Sequence, residues 1–158
     1  MIDDSKLCIV STVERPDLAA VVASWHWREF RRARGETLQQ VLEAVQKSVT
    51  ATRMPRTFVV LLDGAPVGTA SLAERDLDER PDLTPWLAGV FVEPAARGQG
   101  LATRLIGAVE DECRKTFIET LWLYTRTAER IYARAGWRTV ETIAHNGKSY
   151  ALMRRDLE

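Results

Sequence analysis

Hydrophobic positions along the chain follow two periods, and the change between them predicts the elements. Leu7-Cys8-Ile9-Val10 is a short apolar run that predicts a first strand. Arg15-Pro16-Asp17 opens a helical stretch, with proline and an acid where a helix start tolerates them, and it continues through Leu18, Val21, Val22 and Trp25 towards Phe30. Thr37-x-x-Gln40 has the form of a capping box, followed at helical spacing by Leu38, Val41, Leu42, Val45 and Val49. From Thr57 the period shortens. Phe58 to Leu62 predicts a strand, Asp63-Gly64 a turn, and Val67 to Leu72 the second strand of a hairpin. Glu74 to Pro85 is a charged loop with two prolines, and the apolar run Trp86 to Val92 ends at Glu93-Pro94.

Helical spacing returns from about Gly100 to Lys115, where Leu101, Leu105, Val109 and Cys113 form one i, i+4 row. Thr120 to Tyr124 predicts a strand, and Ala128 to Ala135 a short helix stopped by Gly136. Trp137 to Ala144, the turn Asn146-Gly147 and Ser149 to Arg155 predict a closing hairpin. The order β, α, α, β, β, β, α, β, α, β, β contains one strand–helix–strand unit, Trp86 to Tyr124. Its two strands should run parallel through a right-handed crossover, with the others mostly antiparallel. The expected fold is α+β: a mixed, mostly antiparallel sheet of about seven strands with helices on both faces.

At 158 residues the chain is expected to be a single domain, residues 1–158. Lys plus Arg and Asp plus Glu are 22 each, a balance that argues against nucleic acid as the main partner. With no apolar signal core at the start, no stretch of membrane-spanning length and no C-x-x-C pair, the expectation is a reduced cytoplasmic protein without a membrane partner.

Chemistry concentrates where the apolar strand ends and a helix begins, in Arg97-Gly98-Gln99-Gly100-Leu101-Ala102-Thr103. Glycines let backbone approach a ligand, and the unpaired amides of a helix start suit phosphate. A Walker loop is excluded because Gly100 is followed by Leu101 rather than Lys. A dinucleotide fingerprint is excluded because Thr103 holds the third small-residue place.

Arg97-x-x-Gly100-x-Ala102, after an apolar strand and Glu-Pro, resembles the acetyl-CoA loop of the GNAT superfamily of N-acetyltransferases. Ala128 to Trp137 resembles the same family's second CoA segment, in which a tyrosine on a short helix precedes a Gly-aromatic pair, here Gly136-Trp137. The resemblance implies acetyl-CoA as cosubstrate, no metal, and direct transfer to a primary amine of a small molecule or peptide by a monomer or homodimer. It implies a parallel strand pair splayed at the CoA site, with the thioester between Phe91-Val92 and Leu123-Tyr124. The pyrophosphate would sit on amides between Gly98 and Thr103. The Val92 amide would meet the developing oxyanion. Tyr132 would protonate the departing thiolate, and Ala128, four residues earlier, leaves room for pantetheine. Thr125 stands where many relatives carry asparagine, and its hydroxyl would bond a pantetheine amide with fewer donors.

Cys8 and Cys113, in apolar contexts, are read as structural, as are His26 and His145. Of the acids Glu74, Asp76, Asp78, Glu79 and Asp82, the favoured reading is a solvated loop, with an acceptor-amine site as the sharper alternative. Trp25-His26-Trp27 and Trp86 are candidates for an acceptor wall, with the core an equal reading for Trp25 and Trp86, and Arg28, Arg31, Arg32 and Arg34 form a basic cluster read as solvated. Two other functions stay open: a CoA-binding sensor without catalysis, and an acetyltransferase acting on a protein or aminoacyl-tRNA.

Overall fold

A computed structural model describes residues 4–158. Strands β1 (Leu7–Ser11), β2 (Arg56–Leu62), β3 (Ala65–Ala73), β4 (Trp86–Val92), β5 (Thr120–Thr125), β6 (Arg138–His145) and β7 (Lys148–Asp156) form one sheet in the order β1-β2-β3-β4-β5-β7-β6. Every neighbouring pair is antiparallel except β4–β5. Helices α1 (Ala19–His26), α2 (Leu38–Thr50), α3 (Leu101–Lys115) and α4 (Glu129–Arg134) connect them.

The strand period of two assigns the helices to faces. Val59 points to the side of α1 and α2, with Leu61, Phe91, Val22 and Val45. Its neighbour Val60 points to the side of α3, against Leu105 and Val109. The row Leu101, Leu105, Val109 and Cys113 is wholly buried, each aliphatic member contributing about 1.5–3 kcal/mol of transfer free energy. The α2 capping box forms in both directions: Thr37 Oγ1 accepts from the Gln40 amide at 3.1 Å and Gln40 Oε1 from the Thr37 amide at 2.8 Å. Such a cap is worth about 1 kcal/mol.

Three local features depart from the sequence pattern. The first helix opens on a 3₁₀ turn (Pro16–Leu18), and after His26 it widens into a π turn (Trp27–Arg31) and a second 3₁₀ turn (Arg32–Arg34), closed by Gly35 at φ 83. That irregular end carries Arg31, paired with Glu36 at 3.2 Å, and Arg34, whose Nη2 lies 3.3 Å from His145 Nε2 on β6. Cys8 is exposed, because β1 is an edge strand and its alternate face looks outward. The charged loop before β4 is anchored, with Leu77 buried beside Trp86 and Leu152. The Thr84 hydroxyl donates to the Glu74 carbonyl at 2.7 Å, and Trp86 Nε1–H to the Leu83 carbonyl at 2.8 Å. Among the described residues, no helix is long and apolar enough to cross a membrane.

Candidate active site

The parallel pair β4–β5 meets at one position, Trp86 opposite Trp122. A bulge explains the separation. Between Ser71–Ala88 and Thr69–Phe91, β3 advances two residues while β4 advances three. The extra length falls at Gly89-Val90, with Gly89 at φ +62, and the bulge bends β4 away from its neighbour. Beyond it, the Glu93 amide bonds the Val67 carbonyl at 2.8 Å. By alternation, the Val92 N–H and C=O both face the β5 side. The Val92 carbonyl accepts from Arg97 Nε at 2.8 Å, and the Arg97 guanidinium lies 5.7 Å from the Phe91 ring centroid. The side chains of Phe91 and Val92 are themselves buried.

The loop that follows runs through Gly98 and Gly100 at φ 81 and 78, and no atom lies within 4 Å of a Cβ built on either. These glycines are required by backbone angle, not by crowding within the protein. Gln99 and Thr103 are exposed, Ala102 is half-buried and Leu101 is buried as the anchor of α3. The first turn of α3 therefore presents its amides outward from a fixed base.

A cleft of about 1180 Å³ opens beside the bulge, lined by residues 87–90 of β4 and by Leu123 to Ala128 and Tyr132. Phe91, Val92 and the loop Arg97 to Thr103 lie outside its lining. Tyr132 packs edge-on against Trp137 with ring centroids 6.1 Å apart, and burial raises its pKa above the ordinary tyrosine value. Thr125 Oγ1 accepts from the Ala128 amide at 3.1 Å, so the hydroxyl holds the turn that leads into α4 and keeps its own proton to donate.

The far wall contains residues that periodicity could not join. Tyr124, His145 and Tyr150 form a three-ring cluster with centroids 5.5–5.7 Å apart. His145 Nε2 receives Arg34 Nη2 at 3.3 Å and Asn146 Nδ2 at 3.4 Å, which leaves the ring proton on Nδ1, donated to Glu79 at 2.5 Å. His26 and Asp76 complete the wall. Burial, helped by the charge on Arg31, lowers the His26 pKa to about 4, so the ring is neutral at pH 7. Its Nε2 is buried without a hydrogen-bond partner. Burial raises the Asp76 pKa to about 6.

Asp76 thus departs from the solvated reading, while the two histidines line the cleft as packed rings. Arg31 and Arg34 also line the cleft. Of the aromatic candidates only His26 lines it; Trp25 and Trp86 are core, and Trp27 Nε1 donates to the Glu36 carbonyl at 2.9 Å. Cys113 is buried, with its thiol pKa pushed up to about 12. No cluster of metal-ligating side chains occurs among the described residues.

The model of the GNAT acetyltransferase family matches residues 19–137. The fold is similar to that of YncA from Salmonella typhimurium, solved with its cofactor acetyl-CoA (19% identity, TM-score 0.71, 97% of this chain and 95% of that one). It is similar to a point mutant of the spermidine N-acetyltransferase SpeG from Vibrio cholerae (16% identity, TM-score 0.72, 96% and 94%). A GNAT-family acetyltransferase from Streptococcus pneumoniae is a third likeness (15% identity, TM-score 0.71, 96% and 99%). At such identities the likeness carries the fold alone. No curated protein matches the sequence significantly.

Proposed function

The chain belongs to the GNAT acetyltransferase family, and on that premise we propose that it moves an acetyl group from acetyl-CoA directly to a primary amine of a small molecule or peptide. The observation that carries this reading is the β4–β5 pair, bonded only at Trp86–Trp122 and opening onto the cleft that Tyr132 lines. The residues present fit the cosubstrate. Exposed amides at the start of α3, held by Gly98 and Gly100, suit a pyrophosphate. The gap between the strands suits an extended pantetheine arm.

In this reading the Val92 N–H, turned towards the gap, stabilises the oxyanion that develops on the thioester carbonyl. Tyr132, whose burial keeps its proton on, donates it to the departing thiolate. Thr125 sets the start of α4 and so the place of Tyr132, and its hydroxyl proton remains for a pantetheine carbonyl. Neither thiol has the surroundings of an acyl carrier: Cys8 lies on the edge strand β1 and Cys113 is buried with a raised pKa. A cytoplasmic location belongs to the same reading, since acetyl-CoA is an intracellular thioester.

The test is thiol release from acetyl-CoA in the presence of a panel of primary amines, amino acids and peptides. Amine-dependent release with the N-acetyl product is expected. Binding of acetyl-CoA without turnover of any acceptor would leave a sensor instead.

A further inference from the structure

We propose that Asp76 receives the acceptor nitrogen: its carboxylate pairs with the incoming ammonium and takes from it the proton that must leave before the nitrogen can bond to the thioester carbon. The inference rests on the acetyltransferase reading and names a group for one of its steps. Five acids lie between residues 74 and 82, and their surroundings separate them. Glu79 is held by His145, and Asp82 by Arg80 at 3.1 Å. Glu74 and Asp78 are exposed. Asp76 is half-buried, lines the cleft and makes no hydrogen bond or ion pair among the described residues. Leu77, buried between Trp86 and Leu152, pins the next position and leaves Asp76 at the cleft wall.

The groups facing it come from four elements. Arg31 and Arg34 approach from the irregular turns after α1, His145 from the end of β6 and Asp78 from its own loop. Tyr124, on β5 where the parallel pair separates, feels the Asp76 charge. The two arginines favour the ionised carboxylate without contacting it, and burial outweighs them. A partly desolvated carboxylate with no contacting counter-ion is costly to ionise, and an ammonium supplies that contact. His26 also lines the cleft, but with a pKa of about 4 it is the weaker base. A base near 6 is better matched to work at neutral pH.

The step balances within the site. The paired ammonium first gives one proton to the Asp76 carboxylate; the lone pair of the neutral nitrogen then bonds to the thioester carbon, the carbon–sulfur bond breaks, the thiolate takes the Tyr132 proton, and the second N–H proton leaves to water. Both side chains then re-equilibrate with water.

The experiment compares wild type, Asp76→Asn and Asp76→Glu with a series of primary amines whose pKa values run from about 6 to about 10. Circular dichroism and acetyl-CoA calorimetry accompany the rates. For the most basic amines, kcat/KM should fall at least 10²-fold in Asp76→Asn, with acetyl-CoA affinity unchanged. The loss should shrink to below about tenfold for amines already unprotonated at neutral pH, and Asp76→Glu should recover part of it. The acidic limb of the wild-type kcat/KM profile near pH 6 should vanish in Asp76→Asn. A folded Asp76→Asn enzyme that keeps that limb, or loses rate equally for all amines, overturns the assignment. Wild type that binds acetyl-CoA but acetylates no amine overturns the acetyltransferase reading itself, a different failure.

Discussion

His26 and Gly89 interlock: a Cβ built on Gly89 would lie 2.6 Å from His26 Nε2, so the end of α1 and the bulge of β4 fit only because the bulge residue has no side chain. The contact ties the neutrality of His26 to the shape of the site, and it makes the histidine one of two groups whose protonation opposes the other's.

The first prediction concerns that opposition. His26 titrates at about 4 folded against 6.5 unfolded, so between those values the unfolded chain holds more protons. Its contribution is complete above 6.5 and is lost as pH falls towards 4. Asp76 titrates at about 6 folded against 3.8 unfolded, so over nearly the same window the folded chain holds more protons, and its contribution grows as pH falls. Wild-type Tm should therefore vary little with these two groups between pH 6 and 4.5. Asp76→Asn should lose Tm over that range more steeply than wild type. Parallel melting curves for the two proteins would remove the opposition.

Gly100→Val should weaken acetyl-CoA binding at least tenfold. Nothing in the protein crowds a Cβ there, and the obstacle within the chain is φ 78, which a β-branched residue adopts at a cost of about 1–2 kcal/mol. The loop should relax, and Tm should drop by a few degrees while α3 stays anchored by Leu101. Calorimetry with unchanged affinity would take the loop out of the proposed site.

Tyr132→Phe keeps the ring against Trp137 and removes only the proton. Acetyl transfer should slow about 10²-fold with acetyl-CoA affinity little changed, measured where chemistry limits the rate. Because burial raises the phenol pKa, no loss of wild-type rate from its ionisation should occur below pH 10. Full activity would return Tyr132 to a packing role.

Serine at Cys113 should cost about 1–3 kcal/mol by burying a hydroxyl among apolar neighbours, with turnover per folded molecule nearly intact. A thiol reagent should label Cys8 rapidly in the native protein and Cys113 only on unfolding. A several-hundred-fold loss of turnover in either serine variant would indicate an acyl-cysteine route.

Much of the fold was legible because each element carries its own local signal. The Thr37–Gln40 box, the Leu101 row and the two hairpin turns each specify structure within a few residues. The wall of the cleft was not. Asp76, His145, Arg34 and Tyr150 come from four separate segments, and their meeting depends on Leu77 being buried and on the chain after His26 leaving regular helical geometry. A charge run looks solvated from its composition, and only the anchor next to it turns one acid inward. The bulge was equally hidden, since Gly89 interrupts an apolar run without breaking its reading as a strand.

The single bridge between Trp86 and Trp122 also bears on how the chain assembles. It divides the sheet into two hydrogen-bonded ladders, β1 to β4 from residues 7–92 and β5 to β7 from residues 120–156. Within each ladder, every strand pairs with one that is next or next but one in sequence, and the connections among β2, β3 and β4 and among β5, β6 and β7 close over short distances. The connection from β1 to β2 through α1 and α2 (residues 12–55) and the crossover through α3 (residues 93–119) must close over long ones. The seam is then held by side chains rather than by a ladder, with Leu121, Leu123 and Met153 sharing one core with Leu72, Leu87 and Leu105. The two ladders meet along the line where the backbone leaves room for a third participant.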